Sequence, residues 1–136
     1  MIKALFVDTA GWQALQEEGT QESEAARFRR DQWIESGGIL VTTDYVIDES
    51  LTLIRVRLGL RNAERWWMQV EGSSIMRIEA IDALRADKAR AIFFSYRDKE
   101  FSFTDCTSFV IMRELKLTTA LTLDEHFRHM GFETIP

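Results

Sequence analysis

Ile2-Lys3-Ala4-Leu5-Phe6-Val7-Asp8-Thr9 carries the pattern that decides the fold class. Residues 2–7 are mostly apolar and show no polar alternation. A strand with that pattern is buried on both faces, as strands of parallel sheets are. Asp8 and Thr9 end it. Further along the chain, strands and helices are predicted in alternation. A short helix runs through Trp12 and Leu15 until Glu17-Glu18-Gly19 breaks it. A charged surface helix spans Glu22 to Ser36 and is capped by Gly37 and Gly38. Ile39 to Thr42 reads as a second strand. Asp44 to Leu58 reads as a helix whose apolar stripe is Ile47, Leu51, Ile54 and Leu58.

The second half continues the alternation. Asn62 is expected to cap a helix through Ala63, Trp66, Trp67 and Val70, stopped by Gly72. Ser74 to Ile78 reads as a third strand. Asp82 to Tyr96 reads as a helix burying Leu84, Ala91 and Phe94. Ser102 to Leu115 reads as another, with Cys106, Phe109, Val110 and Met112 turned inward. Thr118 to Leu123 is expected to form a fourth strand and Gly131 to Ile135 an edge strand. This order predicts one domain over residues 1–136: an α/β/α sandwich with a mainly parallel central sheet and right-handed crossovers. In such folds ligands bind beyond the carboxyl ends of the strands.

Bulk properties narrow the function. Hydrophobic residues make up 46% and charged residues 29% of the 136, as in an ordinary soluble globular domain. No stretch has the length or apolarity of a membrane span, and the N-terminal apolar run is too short for a signal peptide. Cys106 is the single cysteine, so no internal disulfide forms. A cytoplasmic location is the expectation, and Cys106 itself reads as a small buried hydrophobe. A net charge of −5 and a pI near 5.1 argue against binding nucleic acid by bulk electrostatics. They do not exclude a nuclease, because metal ions in an acidic cleft reverse the local field.

Four acids fall where chemistry is expected. Asp8 and Asp124 end strands at the carboxyl edge of the sheet. Asp105 lies in the first turn of its helix, with Thr104 or Ser102 as N-cap, where an acid also suits the helix dipole. Glu49 lies beside the main apolar stripe, near Val46, Leu53 and Val56. Asp48 instead joins Asp44, Thr52 and Arg55 on a solvated face. Glu49 is therefore the acid expected against the domain, needing a partner. His126 and His129 are the two histidines; with no third ligand evident they read as surface residues. No cysteine–histidine zinc pattern, glycine-rich phosphate loop or nucleophile elbow is present. What remains is carboxylate chemistry with a hard cation.

Phe6-Val7-Asp8-Thr9-Ala10-Gly11-Trp12, Asp44 to Leu53, Ser102 to Phe109 and Leu121 to Phe127 with Gly131-Phe132 together resemble the PIN-domain family, in particular its VapC-type toxin ribonucleases. The order and spacing match over essentially the whole chain. The resemblance implies metal-dependent RNA cleavage with Mg2+ or Mn2+, a cognate antitoxin and a homodimer. It implies Asp8 and Asp105 as direct metal ligands, and Glu49 and Asp124 as ligands directly or through water. Thr9 and Thr122 are candidates to orient an acid or a water. Arg55, Arg61, Arg65 and Arg97 are candidates for RNA phosphates. Trp66 and Trp67 are candidates for a protein-facing surface, with core packing the competing role for at least one. Two other readings stay open: a non-catalytic PIN-like RNA-binding module, and a phosphotransferase using Asp8 as nucleophile. The second lacks an Asp two positions after Asp8 and an obvious lysine partner.

Overall fold

The computed structural model describes residues 3–136. Its elements are β1 (Ala4–Val7), α1 (Thr9–Gln16), α2 (Gln21–Glu35), β2 (Ile39–Thr43), α3 (Asp44–Leu58), α4 (Leu60–Glu71), β3 (Met76–Glu79), α5 (Ala83–Ser95), α6 (Phe103–Glu114), β4 (Thr119–Leu121), α7 (His126–His129) and β5 (Glu133–Ile135). The strands form one sheet in the order β3-β2-β1-β4-β5. Every neighbouring pair is parallel. Helices flank this sheet in the expected α/β/α arrangement. The first two residues of the predicted strand 2–7, Ile2 with Lys3, differ in standing: Ile2 lies outside the described residues, and Lys3 precedes the ladder.

Burial follows the apolar run that opened the chain. Leu5, Phe6 and Val7 are fully buried, as are Ala120 and Leu121 of β4. Each large apolar side chain taken from water contributes about 1.5–3 kcal/mol. β1 and β4 thus anchor the core, and the side on which the chain adds strands switches between them. After β3 the chain returns past β1 to build β4 and β5 on its other side. The crevice above β1 and β4 is the switch point where this fold class binds ligands.

Two contacts fix that crevice. Gly11 sits in the first turn of α1 so close to β4 that an added Cβ would lie 2.1 Å from the Leu121 carbonyl oxygen. Only a residue without a side chain fits there. On the other side, Thr42 donates to the Val7 carbonyl at 3.0 Å and accepts from Trp12 Nε1 at 3.3 Å. Trp12 also meets Trp66 edge-on, with ring centroids 5.5 Å apart. Trp66 is buried and Trp67 half-buried against the core, so both pack inward.

The structure corrects three local expectations. In α5, Leu84, Ala91 and Phe94 are exposed, Leu84 at 63% and Phe94 at 68%. The buried side holds Ala86 and Ala89, because α5 lies close along α6 and only small residues fit between them. Asn62 does not cap α4. Gly59, at φ +93, turns the chain between α3 and α4, and Asn62 lies inside the helix with its amide donating to the Leu58 carbonyl. The third and fourth strands are displaced or shorter, at Met76–Glu79 and Thr119–Leu121. Thr122 and the residues after it leave the ladder to build the site.

Candidate functional site

Asp8 is the N-cap of α1. One carboxylate oxygen, Oδ1, accepts from the Gly11 N–H at 2.7 Å, and the other, Oδ2, accepts from the Thr122 hydroxyl at 2.7 Å. Strand, cap and helix start therefore fix this side chain in both χ angles. It is buried, with 4% exposure. Thr122 has a second duty: its Oγ1 accepts from the Asp124 N–H at 2.9 Å. One hydroxyl thereby ties the end of β1 to the turn after β4.

Asp124 organises that turn. Its Oδ1 accepts from the His126 N–H at 2.9 Å, the local side-chain turn that aspartate favours. Asp105 is held by a capping box at the start of α6. Ser102 is the N-cap; its hydroxyl accepts from the Asp105 N–H at 2.9 Å, and Asp105 Oδ2 accepts from the Ser102 N–H at 3.0 Å. Ser102, rather than Thr104, is thus the cap.

These acids share one cavity of about 420 Å³, lined by Asp8, Thr9, Glu49, Asp105 and Asp124 together with His126. The structure brings all four sequence-predicted acids to it. Glu49 arrives differently from the expectation. It is exposed and reaches the cavity from the face of α3, rather than being held against the domain by a partner. Thr9 also lines the cavity, and its hydroxyl is buried without a hydrogen-bond partner.

Two residues were missed. His126, expected on the surface, lies in the cluster. Its Nδ1 is 2.9 Å from Asp105 Oδ2 and 3.2 Å from Asp124 Oδ1. Arg57 lines the cavity, whereas Arg55, Arg61, Arg65 and Arg97 do not. The signal for Arg57 was present: Glu49, Leu53 and Arg57 are spaced by four along α3 and share a face. For His126 the signal lay in tertiary contacts alone, apart from its place two residues after Asp124. Arg57 pairs with Glu17 at 3.3 Å at the cavity wall.

The electrostatics are those of uncompensated acids. Burial pushes the Asp8 carboxyl up to about 7. The hydrogen bonds from Thr122 and Gly11 pull the other way, and the charges of Asp105 and Asp124 add to the rise. Burial likewise raises Asp105, with Asp124 adding to the rise and the Ser102 and His126 contacts opposing it. Beside them Cys106 is fully buried, and burial pushes its thiol up to about 11, so it is inert packing. The donor set fits a hard divalent cation: clustered carboxylate oxygens, one of them on a buried acid with no cationic side chain bonded to it, and an orphaned hydroxyl.

The fold is that of a known group. The PIN domain model matches residues 5–133. The chain belongs to the PIN-domain family. A PIN-family relative, the 23S rRNA-specific endonuclease VapC20 of Mycobacterium tuberculosis, is 30% identical over 128 residues, covering 94% of this chain and 95% of the relative. The crystal structure of that VapC20, described as a sarcin-ricin loop cleaving toxin, superposes with a TM-score of 0.86 over 97% of this chain and 99% of the other. FitAcB from Neisseria gonorrhoeae shares the fold with a TM-score of 0.72 over 97% of this chain and 96% of its own, at 16% identity. Within the PIN domains the kinship of this chain is with VapC-type toxin ribonucleases.

Proposed function

We propose that this PIN domain is a Mg2+- or Mn2+-dependent endoribonuclease that hydrolyses RNA phosphodiester bonds in the cavity above β1 and β4, as the toxin of a toxin–antitoxin pair. The observation that carries the reading is the convergence of Asp8, Glu49, Asp105 and Asp124 on one cavity at the sheet's switch point. Asp8 and Asp105 are the proposed direct ligands, with Glu49 and Asp124 ligating directly or through water. When bound, a divalent ion lowers the pKa of a water for attack on phosphorus and offsets the charge that develops on the phosphate oxygens.

The protein's own contribution is placement. The Gly11 N–H and the Thr122 hydroxyl hold Asp8 in one orientation; the capping box holds Asp105; the turn at Asp124 holds the third acid. Thr9 Oγ1, buried beside the cavity without a partner among the described residues, is the hydroxyl left over to orient an acid. Arg57, on the cavity wall, is the guanidinium positioned to meet a neighbouring RNA phosphate.

Kinship with VapC20 makes the sarcin-ricin loop of 23S rRNA the first substrate to test. Purified protein is incubated with ribosomes, with a loop oligonucleotide and with unrelated structured RNA, in Mg2+, Mn2+ or EDTA. Metal-dependent cleavage that disappears in Asp8→Ala and Asp105→Ala is the expected result. Cleavage that survives both changes would remove this cavity from the mechanism. RNA binding without cutting would instead select the non-catalytic module. The phosphotransferase reading is disfavoured because, among the described residues, no lysine lines the cavity.

Protein partners are proposed as an antitoxin and a second copy of the chain. Support comes from the large apolar side chains that α5 leaves on the surface, Leu84 and Phe94 among them. Light scattering with and without the adjacent gene's product tests both. A cytoplasmic site of action goes with an RNA substrate; among the described residues no helix is long and apolar enough to cross a membrane.

A further inference from the structure

His126 is the feature that neither the fold nor the four acids explain. The residue is held at three points. The backbone N–H is fixed by Asp124 Oδ1 at 2.9 Å. The ring meets Phe101 edge-on, with centroids 5.3 Å apart and planes at 77°. Nδ1 points between two carboxylates, at 2.9 Å and 3.2 Å. The donor atoms of Asp105, Asp124 and His126 all lie within 4.8 Å of one another. His126 also lines a surface depression with His129, and its side chain is 26% exposed.

Donor atoms bound side by side on one ion, each about 2.1 Å away, are separated by roughly 3 Å. The two Nδ1-to-oxygen distances are of that size. The orphaned Thr9 hydroxyl on the same cavity is a further sign that the cavity takes a ligand. We infer that His126 Nδ1 is a direct ligand of the divalent ion, sharing it with Asp105 and Asp124. This rests on the metal-dependent reading above and adds a nitrogen to its all-oxygen set. A nitrogen donor changes which ion the site prefers. Mg2+ favours oxygen ligands and keeps its waters, whereas transition ions gain from an imidazole, Mn2+ the least of them and the nearest to Mg2+. The site therefore selects Mn2+ over Mg2+, and His126 is the source of that selectivity.

Pulsed electron paramagnetic resonance of the Mn2+-loaded protein tests this without reference to activity. The expected spectrum shows 14N coupling from a bound imidazole, converted to the 15N pattern when histidine is isotopically labelled. The chain has two histidines. The coupling must persist in His129→Ala and vanish in His126→Ala. Because the labelled parent protein and His129→Ala together isolate His126, the test holds even if His126→Ala folds poorly. Titration should show Mn2+ affinity falling about tenfold or more in His126→Ala, with Mg2+ affinity changing less. Mn2+ bound with no nitrogen coupling would overturn the inference and leave the carboxylate site standing. Failure of Mn2+ to bind where Mg2+ does would overturn the inference alone, and failure of both ions to bind would overturn both.

Discussion

Asp8 and Glu79 both stand at the carboxyl ends of parallel strands in one sheet, β1 and β3. They meet their surroundings in opposite ways. Burial would raise Glu79 too, but hydrogen bonds and charge from Arg77 and Arg85 outweigh it and hold the carboxyl below its ordinary value. Arg85 reaches Glu79 at 3.0 Å and Glu114 at 3.2 Å, and its own guanidinium is held more firmly charged by them. The outer end of the sheet is thus closed by a neutralised cluster. At the centre, Asp8 has, among the described residues, a backbone N–H and a hydroxyl for partners, with two further acids nearby. Acids that serve the fold come with their cations; acids left without one mark where a ligand supplies the positive charge.

The largest effect that tests this contrast is on catalysis. Asp8→Ala or Asp105→Ala should lower single-turnover RNA cleavage by about 100- to 1,000-fold or more. Arg85→Ala should leave cleavage unchanged. Loss of cleavage in Arg85→Ala would erase the distinction between the two groups.

Metal should act on stability at one end of the sheet only. A divalent ion at 100 times its Kd stabilises the fold by about 2.7 kcal/mol, or roughly 10 °C in Tm for a chain of this size. Calorimetry with Mn2+ and with EDTA measures it. The gain should be absent in the Asp8→Ala/Asp105→Ala double variant.

The two ends should also respond to pH with opposite sign. Asp8 titrates near 7 in the folded protein and at 3.8 unfolded. Between those values the folded state holds a proton that the unfolded chain has lost. Metal-free protein therefore loses stability as pH rises from about 4 to about 7, by at most about 4 kcal/mol from this group. Glu79 is depressed below 4.5. Its contribution is present above 4.5 and is lost as pH falls through its lower folded value. Urea midpoints across pH 3–8 in EDTA should trace both limbs. Asp8→Asn should remove the Asp8 share of the upper one and leave the part due to Asp105, whose carboxyl burial also raises; an unchanged fall between pH 4 and 7 in that variant would assign it elsewhere.

The smallest effects are at supporting residues. Thr122→Val removes the hydroxyl that Asp8 shares with the Asp124 turn. It should raise the Asp8 pKa further and cost about 1 kcal/mol of stability, seen in the same titration. Arg85→Ala should cost about 1 kcal/mol or somewhat more, since it leaves the half-buried Glu79 with one cation fewer.

Much of this was legible in the chain itself. An apolar run without alternation ending in Asp placed Asp8 at the carboxyl edge, and the strand expected over Thr118 to Leu123 did the same for Asp124. Ser102 and Asp105 announced a helix start. What stayed hidden depended on packing partners distant in sequence. His126 is drawn into the site by Asp105 and Phe101, more than twenty residues upstream. Large apolar residues on α5 misled because the neighbouring helix accepts only the alanine face. Glu49 was identified through helical phase, yet phase alone did not show that its face opens onto the cavity rather than the core.

The contact at Gly11 bears on how finely the cavity is gauged. The obstacle to a side chain there is main chain, and Leu121 is itself clamped in the ladder between Val7 and Ile135. The span from Asp8 to the acid after β4 is consequently set by the sheet's own repeat, with a single hydrogen atom as spacer. Side chains around the cavity have room to drift in size and polarity. One added carbon at position 11 would instead pry apart the two strand ends that hold the site.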